Sequence, residues 1–319
     1  MNAAKPGHVG VLMGGCSSER DISLKSGHGV AEALASTGCR VSPLVVTSEH
    51  GADIVRLVRD SGIEVAFIAL HGRFGEDGTV QAILEKLDIP YTGSGPEASR
   101  KALDKVTTQT LWKAAGLPVP DFWVIRKGAD AVQNIIDPLP AFPVVVKPSR
   151  EGSSFGVTIV RAMDQLSPAL EKAFAYGPDV LVERFIRGRE GTAGILDGRA
   201  LPLVEIRPKA VFFDFEAKYQ KGMTEYLVPA PLPEDVAARI QQMAVKAHGV
   251  LGCADFSRVD FMLDEENNPF LLEINTIPGF TPTSLLPKAA AAAGYAFPDL
   301  CVKLVELACR KRAKTPTKI

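Results

Sequence analysis

The stretch SRVDFMLDEENNPFLLEIN, residues 257–275, sets charged and amide side chains among apolar ones. A cluster of turn-forming residues at its centre, 264–268, followed by Pro269, predicts a β-hairpin. Antiparallel pairing about that turn places Asp260 opposite Glu273 and Arg258 opposite Asn275. Cross-strand partners share a face. The hairpin therefore gathers two carboxylates, an amide and a guanidinium in one place.

The centre of the turn decides which side chains share each face. A turn centred between Glu266 and Asn267 gives the register above, and side chains then alternate with period two. The polar residues occupy one face, and the apolar face comprises Val259, Phe261, Leu263, Phe270, Leu272 and Ile274.

Carboxylates that face each other repel unless a cation lies between them or one is protonated. Mg²⁺ suits the pair because it takes oxygen ligands and leaves positions for phosphate. A solvated outer face is the alternative interpretation of the same pattern. The magnesium interpretation requires a nucleotide site elsewhere in the chain.

Composition limits the function classes. The chain has 319 residues, 36 basic and 37 acidic, for a net charge of −1, which gives no reason to expect a nucleic-acid or membrane-surface partner. No stretch approaches the roughly 18 apolar residues of a membrane span. Five cysteines without a CxxC pair indicate reduced thiols and a cytoplasmic protein.

Residues 8–90 alternate strand and helix patterns, which predicts an N-terminal doubly wound parallel-sheet domain within a mixed α/β and α+β fold. Helical pattern covers about 96–115. We predict domains at 1–93 (Rossmann-like), 94–180 (central α+β) and 181–319 (carrying the hairpin).

The segment KPSREGSSFG, residues 147–156, is glycine-rich and lies between two predicted strands. Its backbone N–H groups could cradle phosphate oxygens, with Lys147 adding positive charge, although a flexible turn is the alternative. It also matches G-x-S-x-G, with Ser154 as the nucleophile of a hydrolase. That motif needs a helix after the turn and a downstream histidine. Here a strand pattern follows, and the only downstream histidine is His248.

Six motifs in order carry a family resemblance: HGRFGEDG, YTGSG, KPSREGSS, EAKY, SRVDFMLD and LLEINTIPGFTPTS. Together they resemble the D-alanine–D-alanine ligases of the ATP-grasp superfamily, over about residues 9–307. The resemblance implies an ATP-grasp fold in which ATP, held between two α+β domains, phosphorylates the carboxylate of one D-alanine. The amine of a second D-alanine attacks the acyl phosphate, giving the dipeptide used in peptidoglycan. It also implies a homodimer.

The resemblance assigns the polar face of the hairpin. It implies that Asp260, Glu273 and Asn275 hold two Mg²⁺ ions, for which Mn²⁺ can substitute, against the ATP phosphates. It implies that Arg258 stabilises the oxyanion of the tetrahedral intermediate with the N–H of Gly279. A simple salt bridge from Arg258 to the acids is compatible with that role.

The resemblance also implies a set of ATP contacts. The lysines among them reach phosphates, Ser154 covers the β-phosphate through its backbone, and Glu183 and Glu190 bond the adenine amino group and the ribose. Without the resemblance, Lys105 would be an ordinary solvated helix lysine. The full set is Lys105, Lys147, Ser154, Glu183, Ile186, Glu190 and Lys218.

For the first D-alanine, the resemblance implies that Glu19 takes the ammonium, and a helix start at Glu19 is compatible with this. Ser153 and Tyr219 bond with Glu19 and close an Ω-like loop, about 208–222, over the site. Tyrosine at 219 favours the amine of D-alanine over D-lactate as second substrate.

His71 matches a residue near the first carboxylate, although alone it would be an ordinary loop histidine. Ser284 and Leu285, at a predicted helix start suited to anions, match the groups that bind the second carboxylate. Gly191 departs from the bulky apolar residue usual after the ribose glutamate. Two alternatives remain: an ATP-grasp ligase for another pair of substrates, and a degenerate ATP-binding protein without turnover.

Overall fold

A computed structural model describes residues 7–128, 141–208 and 224–314. Its first sheet is parallel, in the order β2-β1-β3, with β1 at Val9–Gly14, β2 at Val41–Val46 and β3 at Val65–Ile68. The strands read as near-continuous apolar runs because both faces of the sheet are covered. The predicted doubly wound N-terminal sheet is confirmed.

Alternate side chains of β1 enter two different cores. Val11 and Met13 pack with helix α1 (Arg20–Ser36), whereas Leu12 packs on the opposite face with α2 (Gly51–Ser61). Helix α3, Thr79–Lys86, completes that second layer. The carboxyl ends of these strands, where ligands bind in such sheets, lead into the loops of Glu19 and His71.

The helical pattern predicted over about 96–115 corresponds to two helices. The structure has α4 at Pro96–Leu103 and α5 at Lys105–Ala114, separated by Asp104 in an extended conformation. Asp104 ends one helix and caps the next, because its Oδ1 accepts the Thr107 N–H at 3.1 Å. Its carboxylate also accepts from Ser149 Oγ at 2.8 Å and from Arg150 Nε at 2.9 Å. The break sets Lys105 at the start of a helix.

The central sheet is antiparallel, in the order β4-β7-β5-β6. Its strands are Phe122–Arg126, Val144–Pro148, Thr158–Val160 and Asp179–Arg184, numbered β4 to β7 in chain order. A 3₁₀ turn at Met163–Gln165 leads into α6, Leu166–Phe174, which packs on the sheet. The last strand continues past the domain boundary predicted at 180; the boundaries stay predictions.

The third sheet is antiparallel, in the order β11-β10-β8-β12-β13, with β9 beside β8. Helix α7, Glu234–Leu251, covers one face, packing against Val259 and Phe261. The strands, numbered β8 to β13 in chain order, are Arg189–Leu196, Arg199–Ala200, Val204–Pro208, Thr224–Leu227, Phe256–Leu263 and Pro269–Asn275.

Two helices follow the hairpin: α8 at Leu285–Ala292 and α9 at Phe297–Lys314. Helix α9 packs against α1 and β3, so the end of the chain joins the core of the first sheet. No helix within residues 7–128, 141–208 and 224–314 is long and apolar enough to cross a membrane.

Asp104→Ala tests the helix break. Burial opposes ionisation of Asp104, but hydrogen bonds from Ser149, Thr107 and Arg150 prevail and lower the pKa of its carboxyl. Asp104→Ala removes the helix cap and leaves the groups that donate to Asp104 without their acceptor. The free energy of unfolding, measured by urea denaturation at pH 7, should fall by about 2–3 kcal/mol.

A control for that variant is Glu97→Ala, which removes an exposed i,i+4 pair with Lys101 on the preceding helix. It should leave the unfolding midpoint unchanged. An equal loss in both variants would contradict the capping role of Asp104.

Candidate active site

One cleft of about 1160 Å³ lies where the three sheets meet. Every predicted site residue within the described ranges lines it: Glu19, His71, Lys105, Lys147, Ser153, Ser154, Glu183, Ile186, Glu190, Arg258, Asp260, Glu273, Asn275, Gly279, Ser284 and Leu285. Tyr219, Lys218 and nearly all of the predicted Ω-like loop lie outside the described residues. The structure thus brings the described set together, while their individual roles stay predictions.

The hairpin register of the polar residues is as predicted: Arg258 pairs with Asn275, and Asp260 with Glu273. Beyond Asp260 the register shifts by one residue through a β-bulge. The expected centre of the turn is therefore wrong: the connection is the five residues 264–268, with Asn267 at φ 62°.

The bulge corrects the predicted apolar face. Leu271, rather than Phe270 and Leu272, is buried against Phe261 in the core. Leu272 lies on the cleft side and Phe270 pairs with Met262. A bulge changes the phase of alternation on one strand only, so the prediction failed on the second strand beyond that point.

Protein cations neutralise both facing carboxylates. Arg258 makes a two-pronged bond to Asp260, with Nε and Nη2 at 2.7 and 2.6 Å from the carboxylate oxygens. Asn275 Nδ2 donates to Asp260 at 3.1 Å, and Lys105 Nζ lies 3.1 Å from Glu273 Oε2. Two opposed acids here require positive charge, and arginine and lysine supply it.

Two carboxylates and one amide oxygen are the hard donors that Mg²⁺ takes. Within the described ranges, no group of three or more His, Cys, Asp or Glu side chains is arranged to hold a metal ion. The donor chemistry fits a divalent ion that shares its ligands with phosphate.

Lys105 is not the solvated helix lysine of the alternative interpretation. It is 7% exposed, and its Nζ also donates to the Glu151 carbonyl at 2.6 Å. Its backbone N–H donates to the Ser149 carbonyl at 2.9 Å, which ties α5 to the glycine-rich loop. The cap at Asp104 therefore positions this cation between that loop and the hairpin.

A second buried cation lies nearby. Lys147 Nζ is 2.6 Å from Glu183 Oε1, and both residues are buried. Gln109 donates to the same carboxylate and to the Leu272 carbonyl. Because a buried ion pair needs further hydrogen bonds to offset desolvation, Gln109 is part of the site. Sequence reasoning missed it, although it lies four residues, one helical turn, after Lys105.

The glycine-rich loop is backbone-strained at Ser153 and Ser154, with φ values of 50° and 62°. Ser153 Oγ donates to Glu19 Oε1, so the loop reaches across to the start of α1. Strand β6 follows the loop rather than a helix, and His248 is buried with its Nδ1 2.7 Å from Ser257 Oγ. The hydrolase interpretation is wrong because both of its structural requirements fail.

Glu19 lies in an acidic corner that sequence reasoning did not identify. A Cβ on Gly72 would lie 2.9 Å from Glu19 Oε2, so glycine (φ 75°) permits the close approach. Burial raises the pKa of Glu76, with His71 opposing and Glu19 adding to the rise. Burial also raises the pKa of Glu151, where Lys105 opposes and Glu19 adds. This corner would attract a substrate cation.

His71 is 5% exposed, with protein partners at both ring nitrogens. Nδ1 lies 3.0 Å from the Ile277 carbonyl and 3.7 Å from Glu76, and Nε2 lies 3.0 Å from Ser26 Oγ. It is therefore an integral part of the packing between the first sheet and the loop after the hairpin.

That loop ends at Ser284, the residue before helix α8. Ser284 Oγ accepts the Thr281 N–H at 3.0 Å, and the Ser284 N–H donates to the Thr281 carbonyl at 2.9 Å. Gly279 lies beside Ser284, since a Cβ there would be in ordinary van der Waals contact with its Oγ, at 3.4 Å. The N–H groups at a helix start favour anions.

Packing explains why position 191 is a glycine rather than the bulky apolar residue expected there. A Cβ there would lie 2.5 Å from the Phe261 ring, so that ring fills the space a larger residue would need. Glu190 precedes it on β8, opposite Met262, and remains on the cleft. Ile186, 5% exposed, forms part of the cleft wall.

Comparisons with known proteins agree along the chain. The family model for the D-ala D-ala ligase C-terminus matches residues 111–306, and that for the D-ala D-ala ligase N-terminus matches residues 51–94. The D-alanine--D-alanine ligase of Syntrophotalea carbinolica is 48% identical over 93% of this chain and 94% of its own length. That of Citrifermentans bemidjiense is 47% identical over 95% and 96%.

The solved structure of Bacillus anthracis D-alanine--D-alanine ligase complexed with ATP is 35% identical, with a TM-score of 0.86 over 97% of this chain and 99% of that one. A second structure of the Bacillus anthracis ligase gives 37% and 0.87 over the same shares. These matches confirm the predicted ATP-grasp fold.

His248 gives a test of the core assignment. Burial lowers its pKa to about 4, below the unfolded value of about 6.5. The neutral ring thus contributes stability above pH ~6.5 that is lost as the pH falls toward 4. Wild type should lose about 2–3 kcal/mol more than His248→Gln between pH 7 and pH 4.5, measured by urea unfolding.

The matched control is His28→Gln, at an exposed position of α1. It should follow the wild-type pH dependence. If His248→Gln also follows it, the ring does not titrate as a buried group.

Proposed function

Because the chain belongs to the D-ala D-ala ligase family and is an ATP-dependent ligase, we propose that its cleft binds ATP, Mg²⁺ and two D-alanine molecules. ATP phosphorylates one D-alanine, and the amine of the other displaces the phosphate, giving D-alanyl-D-alanine, ADP and phosphate. The observation that carries the proposal is the opposed pair Asp260 and Glu273 beside the cations Arg258 and Lys105.

The nucleotide would lie between the central and third sheets. Lys105 and Lys147 face the cleft with the strained backbone of Ser153 and Ser154 beside them, and phosphoryl transfer depends mostly on positioning and charge neutralisation. Glu183 and Glu190 line the farther part of the cleft, where carboxylates can accept from the adenine amino group and ribose hydroxyls. The Bacillus anthracis relative has been solved complexed with ATP, which supports ATP as a ligand of this fold.

Asp260, Glu273 and Asn275 would hold two Mg²⁺ ions. When bound, the ions would neutralise charge on the ATP phosphates. Lys105 and Arg258 now bond these carboxylates, which shows that the fold places positive charge at this position. With the ions bound, both side chains could turn toward phosphate and substrate oxygens.

The first D-alanine would place its ammonium at Glu19. The support is that Ser153 orients the Glu19 carboxylate and that the Glu76 and Glu151 carboxyls lie close enough to interact with its charge. His71 borders this corner. An ammonium held there leaves the carboxylate of the same molecule directed toward the phosphates.

The second D-alanine would bind beside helix α8, its carboxylate at Ser284 and Leu285. Its amine would attack the acyl phosphate, and negative charge would develop on the carbonyl oxygen. Arginine carries five N–H donors, so Arg258, turned from Asp260 toward the substrates, can bond the developing oxyanion. The Gly279 N–H would be the second donor.

Further proposals rest on the family. The dipeptide would serve peptidoglycan synthesis, and the enzyme would be a cytoplasmic homodimer divided near residues 93 and 180. Tyr219 and Lys218 would complete the site from the segment outside the described residues, with Tyr219 favouring D-alanine over D-lactate.

A product assay tests the proposed function. Purified protein with ATP, Mg²⁺ and D-alanine should release phosphate and give D-alanyl-D-alanine by thin-layer chromatography. L-alanine in place of D-alanine should release none. Phosphate release with a different amino acid only would support another ATP-grasp ligase, and ATP binding without release would support a degenerate protein.

Glu273→Gln tests the metal assignment. A neutral amide cannot replace the anionic ligand, so turnover should fall at least about 100-fold while the fold persists. Circular dichroism and product formation are the measurements. Glu266→Gln makes the same chemical change at the exposed turn of the same hairpin and should keep wild-type turnover. Near-normal turnover in Glu273→Gln would refute the assignment.

A further inference from the structure

Two buried side chains hold the loop that contains Gly279. The Ile277 carbonyl accepts from His71 Nδ1 at 3.0 Å, and the Phe280 N–H donates to Ser26 Oγ at 3.2 Å. Ser26, in helix α1, has no exposed surface. Ser26 and Phe280 are 254 residues apart in the sequence. No local sequence pattern could therefore predict that they form a hydrogen bond.

The hydrogen bonds form a closed circuit. A carbonyl can only accept, so His71 carries its proton on Nδ1 and donates it to Ile277. On the other side of the ring, Nε2 lies 3.0 Å from Ser26 Oγ and forms a hydrogen bond with it. The same oxygen accepts the Phe280 N–H. Every buried polar group in the circuit is satisfied, as burial requires.

The circuit fixes the peptide between its two ends. The Ile277 carbonyl belongs to the peptide before Pro278, and the Phe280 N–H belongs to the peptide after Gly279. The Gly279 N–H lies in the single peptide between them. Holding both neighbours fixes the two Cα atoms that flank this peptide, and so fixes where the Gly279 nitrogen lies along the cleft.

Side-chain packing alone does not achieve this. The Phe280 ring is anchored edge-on by Phe67 and Phe256, with ring centroids 5.5 and 5.8 Å away. Those contacts locate the ring, but rotation of the adjoining peptide plane changes them little. The hydrogen bond to Ser26 selects one orientation of the plane.

We infer that Ser26 is a positioning residue for the reaction: together with His71 it aims the Gly279 N–H at the oxyanion. This inference rests on the proposed role of Gly279 as an oxyanion donor. It also gives His71 a structural task in addition to its place beside the first substrate. A donor displaced from the oxyanion loses transition-state stabilisation while nucleotide binding continues.

Ser23 provides a matched control on the same helix. It is buried, its Oγ accepts the Gly14 N–H at 2.8 Å, and it donates to the Ala69 carbonyl at 2.7 Å. It therefore makes the same number of these bonds as Ser26, but within the first sheet. Ser23→Ala and Ser26→Ala should lower the melting temperature by similar amounts.

The two variants should separate in turnover. Ser26→Ala should lower kcat about 10–100-fold, with the KM for ATP within about 3-fold of wild type. Ser23→Ala should keep kcat within about 3-fold, since no predicted substrate contact depends on it. Equal kcat losses in the two variants, or wild-type kcat in Ser26→Ala, would overturn the inference.

Ser26→Cys covers the case in which Ser26→Ala does not fold. Sulfur fills the space but is a weak donor and acceptor, so kcat should still fall about 10-fold, by the same loss of positioning. Side-chain ¹⁵N NMR gives a readout that is independent of turnover. His71, assigned from His71→Gln, should show a protonated Nδ1, and its Nε2 resonance should move in Ser26→Cys. Wild-type kcat in a folded Ser26→Cys would end the inference.

These measurements separate the inference from the proposed function. If wild type forms no D-alanyl-D-alanine, the proposed function fails. If wild type is active and Ser26→Ala and Ser26→Cys are equally active, only the positioning role fails.

Discussion

The site depends on an electrostatic constraint: Asp260 and Glu273 face each other across β12 and β13 and require positive charge between or beside them. In the structure that charge comes from Arg258 and Lys105. Opposed carboxylates without cations would weaken the hairpin. Because the two carboxylates require positive charge, they are also suited to bind a metal–nucleotide complex. The same pair of residues therefore matters both for the stability of the hairpin and for the reaction.

Several local features of the fold place the cationic side chains of Lys105 and Lys147 at the cleft. Asp104 interrupts a helix so that Lys105 begins a new one beside the hairpin. Gln109 supports the buried pair of Lys147 and Glu183 from the next turn of that helix. The bulge after Asp260 turns Leu272 to the cleft and leaves the polar pairs in register. Local irregularities thus occur where the site needs a side chain redirected.

The sequence predicts well where one local rule governs the outcome. Asp260 lies opposite Glu273 because a short connection sets the pairing, and the parallel sheet follows from apolar runs alternating with helices. The helix break at Asp104 was missed because its partner Ser149 is distant in sequence. The bulge could not be predicted because Phe270, Leu271 and Leu272 are all apolar, so the sequence does not show which of them face the core. Ser26 and Glu76 could not be assigned because their partners meet only in the folded chain.

The most direct test of the central claim is the anomalous diffraction of Mn²⁺ in crystals grown with a non-hydrolysable ATP analogue. Mn²⁺ should lie between the phosphates and the hairpin, with side-chain oxygens of Asp260, Glu273 and Asn275 among its ligands. Lys105 and Arg258 should also turn toward the ligands. Nucleotide bound with Mn²⁺ elsewhere, and both cations still paired with these carboxylates, would contradict the claim.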